Sequence, residues 1–159
     1  MKAASVKEIK QELTLRSQQE LVQLCLHMSK FKKENKELLT YLLFEAENEA
    51  LFIEGVKGEM NEQFTQINRK SFYYVKKSIR KILSTVKKYI RYSKKKETEV
   101  ELLIYFCQQL NEFKPSIHRS ITMKNLYNRQ VEQISKALKT LHEDLQFDYE
   151  DELEELVKR

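Results

Sequence analysis

The chain has little glycine and proline, with two glycines and one proline among 159 residues. Strands must be joined by turns, and turns draw on Gly, Pro, Asn and Asp, so this scarcity argues against a sheet-based fold. Two glycines also cannot form the glycine-rich loops that cradle phosphate groups in nucleotide-binding enzymes. The abundant Leu, Lys, Glu and Gln residues are strong helix formers. We therefore predict an all-α fold.

Cysteine and histidine are also few and scattered. Cys25 and Cys107 have no neighbouring cysteine, which is typical of a reducing compartment with both thiols acting as small core residues. His27, His118 and His142 are not spaced as metal ligands, and no HExxH motif or nucleophile elbow is present. We predict a non-enzymatic protein with no catalytic residue, metal, cofactor or small-molecule substrate.

Long apolar runs are missing as well. The most apolar stretch, residues 38–53, is interrupted by Glu45, Glu47 and Glu49, and a membrane span needs about 18 uninterrupted apolar residues. The first 13 residues carry charges throughout and lack the apolar core of a signal peptide. We predict no membrane span and a cytoplasmic location.

Helix boundaries are indicated by capping motifs and by the single proline. A serine or threonine followed three residues later by glutamate is a capping box, which marks the start of a helix. Pro115 should end a helix, because proline cannot continue one. Two further helices are expected over residues 38–56, with Gly55 and Gly58 marking an end or a kink, and over residues 120–145. The capping boxes are Ser5/Glu8, Ser17/Glu20 and Thr98/Glu101.

These signals predict a single domain over residues 1–159, a helical bundle or short α-solenoid of about five to six helices built from antiparallel hairpins. A shift of 64 residues aligns part of the chain with itself, including Glu37–Tyr41 with Glu101–Tyr105. This suggests an internal repeat over residues 17–58 and 81–114, as in stacked helical hairpins. Any two amphipathic hairpins with Lys-rich links would also look alike, so both interpretations stay open.

One stretch, residues 69–96, carries twelve of the 29 Lys and Arg residues and no acidic residue. Its apolar residues recur at alternating steps of three and four, which predicts an amphipathic helix. A cationic row lies on the opposite face of this helix. Residues 143–155 carry the opposite charge, with eight acidic residues and no basic one. The predicted cationic row is Lys77, Lys81, Lys88, Arg91 and Lys95.

A charged helical face is most often a solvated face, and phosphates or an acidic protein can also bind to it. The function that we favour is a non-enzymatic adaptor or scaffold module that binds a protein partner, or a second copy, through helical surfaces. The alternative is a nucleic-acid-binding protein that uses the basic helix 69–96. In either case the cationic row is the candidate binding face.

Overall fold

A computed structural model of the chain describes residues 1–158. Within these residues the protein is all-helical, and no strand occurs, which confirms the predicted fold class. Eight α-helices are present instead of the five or six that the sequence suggested. A π-helical turn at Tyr41–Glu45 and a 3₁₀ turn at Ile117–Arg119 lie between them. The helices are α1 (Val6–Thr14), α2 (Gln18–Phe31), α3 (Lys33–Thr40), α4 (Glu49–Thr65), α5 (Phe72–Ser93), α6 (Lys96–Glu112), α7 (Ile121–Leu138) and α8 (Glu143–Val157).

The chain divides into two compact units, residues 1–44 and residues 45–159. The first unit contains α1, α2 and α3, and α2 packs along α3. No residue of these three helices is buried, and Tyr41 is the one buried residue among residues 1–44. The single domain over residues 1–159 stays a prediction.

The second unit has a dense apolar core organised around α6. Helix α6 packs against α4, α5, α7 and α8, so a neighbour covers most of its circumference. Leu102, Leu103 and Phe106 are fully buried along it. Helix α5 contributes the predicted apolar stripe, which confirms its amphipathic character. The buried residues of that stripe are Val75, Ile79, Ile82, Leu83, Val86 and Ile90.

Two of the three predicted capping boxes are present. In the boxes of Ser5 and Ser17, the serine side chain accepts from the amide three residues later, and that glutamate accepts from the serine amide. The third prediction is wrong. Helix α6 begins at Lys96, so Thr98 lies inside its first turn, where it is buried and donates a hydrogen bond to Glu49. The Thr98 hydroxyl therefore makes a tertiary contact with α4 and does not cap α6.

Two predicted helices are divided in the structure. The stretch 38–56 is broken after the π-helical turn, and Asn48 caps the new helix α4 by accepting from the amide of Leu51. Gly55 and Gly58 lie inside α4, so neither marks its end. The stretch 120–145 is likewise broken after Leu138, and α8 begins at Glu143. Both predictions failed because the apolar spacing continues past the point at which a local cap starts a new helix.

None of the helices in the described part of the chain combines the length and apolar character that crossing a bilayer requires.

Candidate functional site

The predicted cationic row divides among three different surroundings. Lys77, Lys81 and Arg91 are exposed on α5, as predicted. Lys88 is half-buried, and its Nζ lies 5.1 Å from the centroid of the Tyr89 ring. Lys95 lies beyond the end of α5, in the link to α6. The row is therefore not one uniform face.

A carboxylate near the start of α4 holds the α5–α6 link in place. The Glu49 carboxylate accepts hydrogen bonds from the hydroxyls of Ser93 and Thr98, the latter at 2.6 Å. It also forms a salt bridge of 2.8 Å with Lys95. These contacts tie α4 to both ends of the link. They also use one of the five predicted cations for a structural role.

A pocket of about 580 Å³ opens where α5 passes into α6. We call it the corner pocket. Five cationic side chains line it, and the remaining lining residues are Ile90, Glu99 and Gln133. Two of the five cations, Arg91 and Lys95, belong to the predicted row. The sequence reasoning missed the other three, although all lie in the basic stretch 69–96. The five cations are Lys87, Arg91, Lys94, Lys95 and Lys96.

The one carboxylate of the corner pocket is already engaged. Glu99 accepts a hydrogen bond of 2.6 Å from Gln133 on one oxygen and pairs with Lys96 at 2.7 Å on the other. Burial by itself raises the pKa of Glu99, but the hydrogen bonds from Lys96 and Gln133, together with the charges of Lys96 and Lys87, outweigh it, and the pKa is lowered. Glu99 thus stays ionised at neutral pH while both of its oxygens are occupied.

Among the pocket cations whose side chains have no hydrogen-bond or salt-bridge partner, Lys87 is the most buried. It is half-buried and forms no hydrogen bond or salt bridge with the residues that the structure describes. Burial lowers the pKa of Lys87, and the charge of Glu99 only partly opposes this effect. The Lys87 ammonium group therefore loses hydration without gaining a hydrogen bond to a carboxylate.

The acidic helix α8 packs on α6 and α7. Its polar contacts with these helices include Glu152 with Gln108 at 2.9 Å, and the main-chain oxygen of Leu156 with the Tyr127 hydroxyl at 2.9 Å. Burial and nearby carboxylates, Glu101 first among them, raise the pKa of Tyr149 in the same helix. The carboxylates of α8 thus lie beside α6 and α7.

The second candidate surface is a groove within the N-terminal unit, which we call the N-terminal groove. It has a volume of about 950 Å³ and lies between α1 and α2. Ile9, Leu13 and Leu24 line it and are 47%, 39% and 44% exposed, and charged residues such as Glu12 and Arg16 flank them. Leu24 shares one face of α2 with Leu21, Cys25 and Met28, a spacing that is typical of a buried helical face. It is exposed because 44 residues provide no core against which to pack.

Cysteine and histidine contribute little to either surface. Cys107 is buried, and burial raises its pKa to about 12, which fits the predicted core role. Cys25 is exposed, so its predicted core role is wrong. His118 lies in a polar chain, 3.1 Å from the Asn111 side chain, and His27 lies at the N-terminal groove. Across residues 1–158 no group of three or more His, Cys, Asp or Glu side chains is placed to hold a metal.

No family model, curated protein or solved structure matches the chain. Function must therefore be argued from the residues of the chain itself.

Proposed function

We propose that the protein is a helical interaction module whose N-terminal unit binds a partner protein. The observation that carries this proposal is the distribution of exposed apolar side chains. Thirteen of the nineteen exposed large apolar side chains in the described residues lie within residues 1–44, which are little more than a quarter of the chain. Concentrated apolar surface of this kind marks an interaction site in a folded protein.

The low intrinsic stability of the three N-terminal helices supports the same proposal. The helices α1, α2 and α3 are 9, 14 and 8 residues long, and isolated helices of this length are marginal in water. They bury no side chain of their own, so little hydrophobic free energy offsets the cost of ordering them. Burial of one Leu or Ile side chain contributes about 1.5–3 kcal/mol. A partner that covers several of these residues supplies the missing stabilisation.

The shape of the N-terminal groove favours an amphipathic helix as the bound element. Its apolar residues lie between helices that also present charges of both signs, namely Glu8, Glu12, Arg16, Glu20 and Lys30. A helix that lays an apolar face into such a groove presents its own charges to the rim. The partner is therefore expected to carry apolar residues at helical spacing with charged residues beside them.

The double substitution Ile9→Lys and Leu24→Lys should weaken partner binding by about a hundredfold, because two lysines would then enter the apolar contact. The measurement is quantitative affinity purification of full-length wild type and variant. We expect one protein in near-stoichiometric amount with wild type and its loss with the variant. A photo-crosslinker at position 24 should attach to the same protein.

The matched control is Ile121→Lys with Phe147→Lys, two apolar residues of α7 and α8 that are 80% and 78% exposed. This control should retain the partner. If both double variants recover the same proteins as wild type, the N-terminal groove is not the binding surface.

Nucleic-acid binding through α5 is the second candidate function. The observation that favours it is a pair of exposed rings, Tyr73 and Tyr74, with centroids 5.5 Å apart at the start of α5. Exposed rings next to the exposed cations Lys77 and Lys81 are the combination that single strands bind, with bases on the rings and phosphates on the cations.

Lys77→Glu with Lys81→Glu should weaken binding to a single-stranded oligonucleotide at least about tenfold at low salt. Fluorescence anisotropy at several salt concentrations measures it, and affinity of the wild type should fall steeply as salt rises. Lys124→Glu with Lys139→Glu makes the same charge change at exposed positions in and directly after α7 and should have little effect. Absence of binding by the wild type at low salt would exclude this candidate.

Three further parts of the sequence-based interpretation stay predictions. These are the antiparallel hairpin repeat over residues 17–58 and 81–114, self-association through the helical surfaces, and the cytoplasmic location. The absence of catalysis is likewise a prediction and follows from the lack of a recognisable reactive group in the sequence.

A further inference from the structure

Neither proposed function uses the corner pocket, whose lining includes five cationic residues and one carboxylate. We propose that it binds a compact anion carrying two or more phosphoryl groups, such as pyrophosphate or the polyphosphate of a nucleotide. This proposal concerns the second unit and is independent of the N-terminal groove and its partner.

The shape of the pocket comes from the way in which α5 ends. Lys94 follows the last residue of α5 and has a φ of 60°, which is left-handed backbone. This conformation turns the chain sharply, and α6 starts two residues later at Lys96. Contacts of Glu49 with Ser93, Lys95 and Thr98 hold the turn. Cations from the last turns of α5, the link and the start of α6 are thereby brought to one concave site.

Most of the positive charge in the pocket is not compensated. Lys95 pairs with Glu49, and Lys96 pairs with Glu99. The side chains of the other three cations form no hydrogen bond or salt bridge with the residues that the structure describes. Like charges that line one pocket repel one another. A bound multivalent anion would remove this repulsion. The three cations without such a partner are Lys87, Arg91 and Lys94.

Lys87 differs from a fully exposed surface lysine in its surroundings. It is half-buried, so part of its hydration is already lost in the free protein. The carboxylate in the pocket lining, that of Glu99, is occupied by Lys96 and Gln133. A phosphate oxygen can offer Lys87 the charge-assisted hydrogen bond that the protein does not. The site is thus partly prepared for an anion before it binds.

The residue at position 94 also favours an anion site. A side chain in left-handed backbone costs about 1–2 kcal/mol relative to the right-handed form, and glycine is the usual residue there. The sequence places a lysine at this position instead, which adds a cation to the pocket lining. Helix α6 also begins without a side-chain cap, and its N-terminal end therefore adds a favourable field for an anion at the pocket.

The size and lining of the pocket favour a small ligand over a nucleic-acid strand. Its volume of about 580 Å³ lies within the usual range for small-molecule sites. The only apolar residue in the lining is Ile90, and no aromatic ring is available on which a base could stack. Recognition is therefore expected to rest on the phosphoryl groups.

Isothermal titration calorimetry on the full chain at low salt tests the proposal, with pyrophosphate, tripolyphosphate, ATP, inorganic phosphate and adenosine as probes. Pyrophosphate and tripolyphosphate should bind at one site per chain. Inorganic phosphate should bind at least about tenfold more weakly, since it contacts fewer cations, and adenosine should not bind. ATP that binds more than about tenfold tighter than tripolyphosphate would identify a nucleotide as the ligand, and equal affinity would identify an inorganic polyphosphate. No saturable binding of either pyrophosphate or tripolyphosphate would overturn the proposal.

Single substitutions distinguish a built site from general charge attraction. Lys87→Ala and Arg91→Ala should each weaken pyrophosphate binding at least about tenfold. Arg80→Ala, on the same helix, and Lys124→Ala, on α7, remove the same charge outside the pocket and should change it less than about twofold. Lys94→Gly should also weaken binding while the melting temperature stays the same or rises, because glycine relieves the left-handed backbone. An equal loss of affinity in Arg80→Ala and Lys87→Ala would overturn the proposal.

Discussion

Replacement of Phe106 by alanine should lower the free energy of unfolding by about 3–5 kcal/mol, which is the range for removing a fully buried phenylalanine. Phe106 lies in the middle of α6 and is completely buried. Its ring is 6.0 Å from that of Phe64 in α4, and the Phe64 ring is in turn 6.1 Å from that of Phe113. Alanine would leave a cavity where α4 and α6 meet and would remove one end of this aromatic chain.

A loss of this size is a large part of the total stability of a domain, which is typically about 5–15 kcal/mol. Urea denaturation followed by circular dichroism at 222 nm measures it, and the midpoint should fall clearly. Phe147→Ala is the matched control, since Phe147 is 78% exposed on α8 and should change stability by less than about 0.5 kcal/mol. Equal midpoints for Phe106→Ala and Phe147→Ala would show that α6 is not the centre of the core.

Backbone amides of α1 and α2 should exchange with solvent at least about a thousandfold faster than those of α6 under native conditions. Amide exchange requires local opening, and the free energy of opening ranges from near zero in weakly packed segments to the global value in core helices. Helices α1 and α2 bury no side chain, whereas nine residues of α6 are buried. Capping boxes at Ser5 and Ser17 stabilise each helix start by about 1 kcal/mol, which is too little to close this gap.

Hydrogen–deuterium exchange with mass spectrometry on the full chain measures the exchange rates of α1, α2 and α6 in one experiment. Helix α7 is a useful internal reference, because it is close to α2 in length and buries six residues. Comparable protection of α2 and α7 would mean that the N-terminal helices are stabilised without a partner, and would remove the energetic argument for the proposed binding function. Addition of the true partner should increase protection in α1 and α2 and leave that of α6 unchanged.

The sequence by itself determined the features that depend on neighbouring residues. Scarce glycine and proline together with strong helix formers gave the all-α fold class. The capping boxes of Ser5 and Ser17 formed as predicted because each requires only four consecutive residues. The apolar stripe of α5 was likewise predictable, since one helical face collects residues spaced by three and four.

Only the tertiary structure decided which of these local features remained available. Thr98 is engaged by Glu49, a residue 49 positions away, so its capping pattern failed. Leu24 has an apolar pattern like that of a core residue, yet it is exposed because its 44-residue unit forms no core that could enclose it. The cationic row was read from one helix, whereas the corner pocket also requires the left-handed turn at Lys94 and the start of α6. Periodicity within a helix specifies which side chains share a face, and only packing between helices specifies what that face meets.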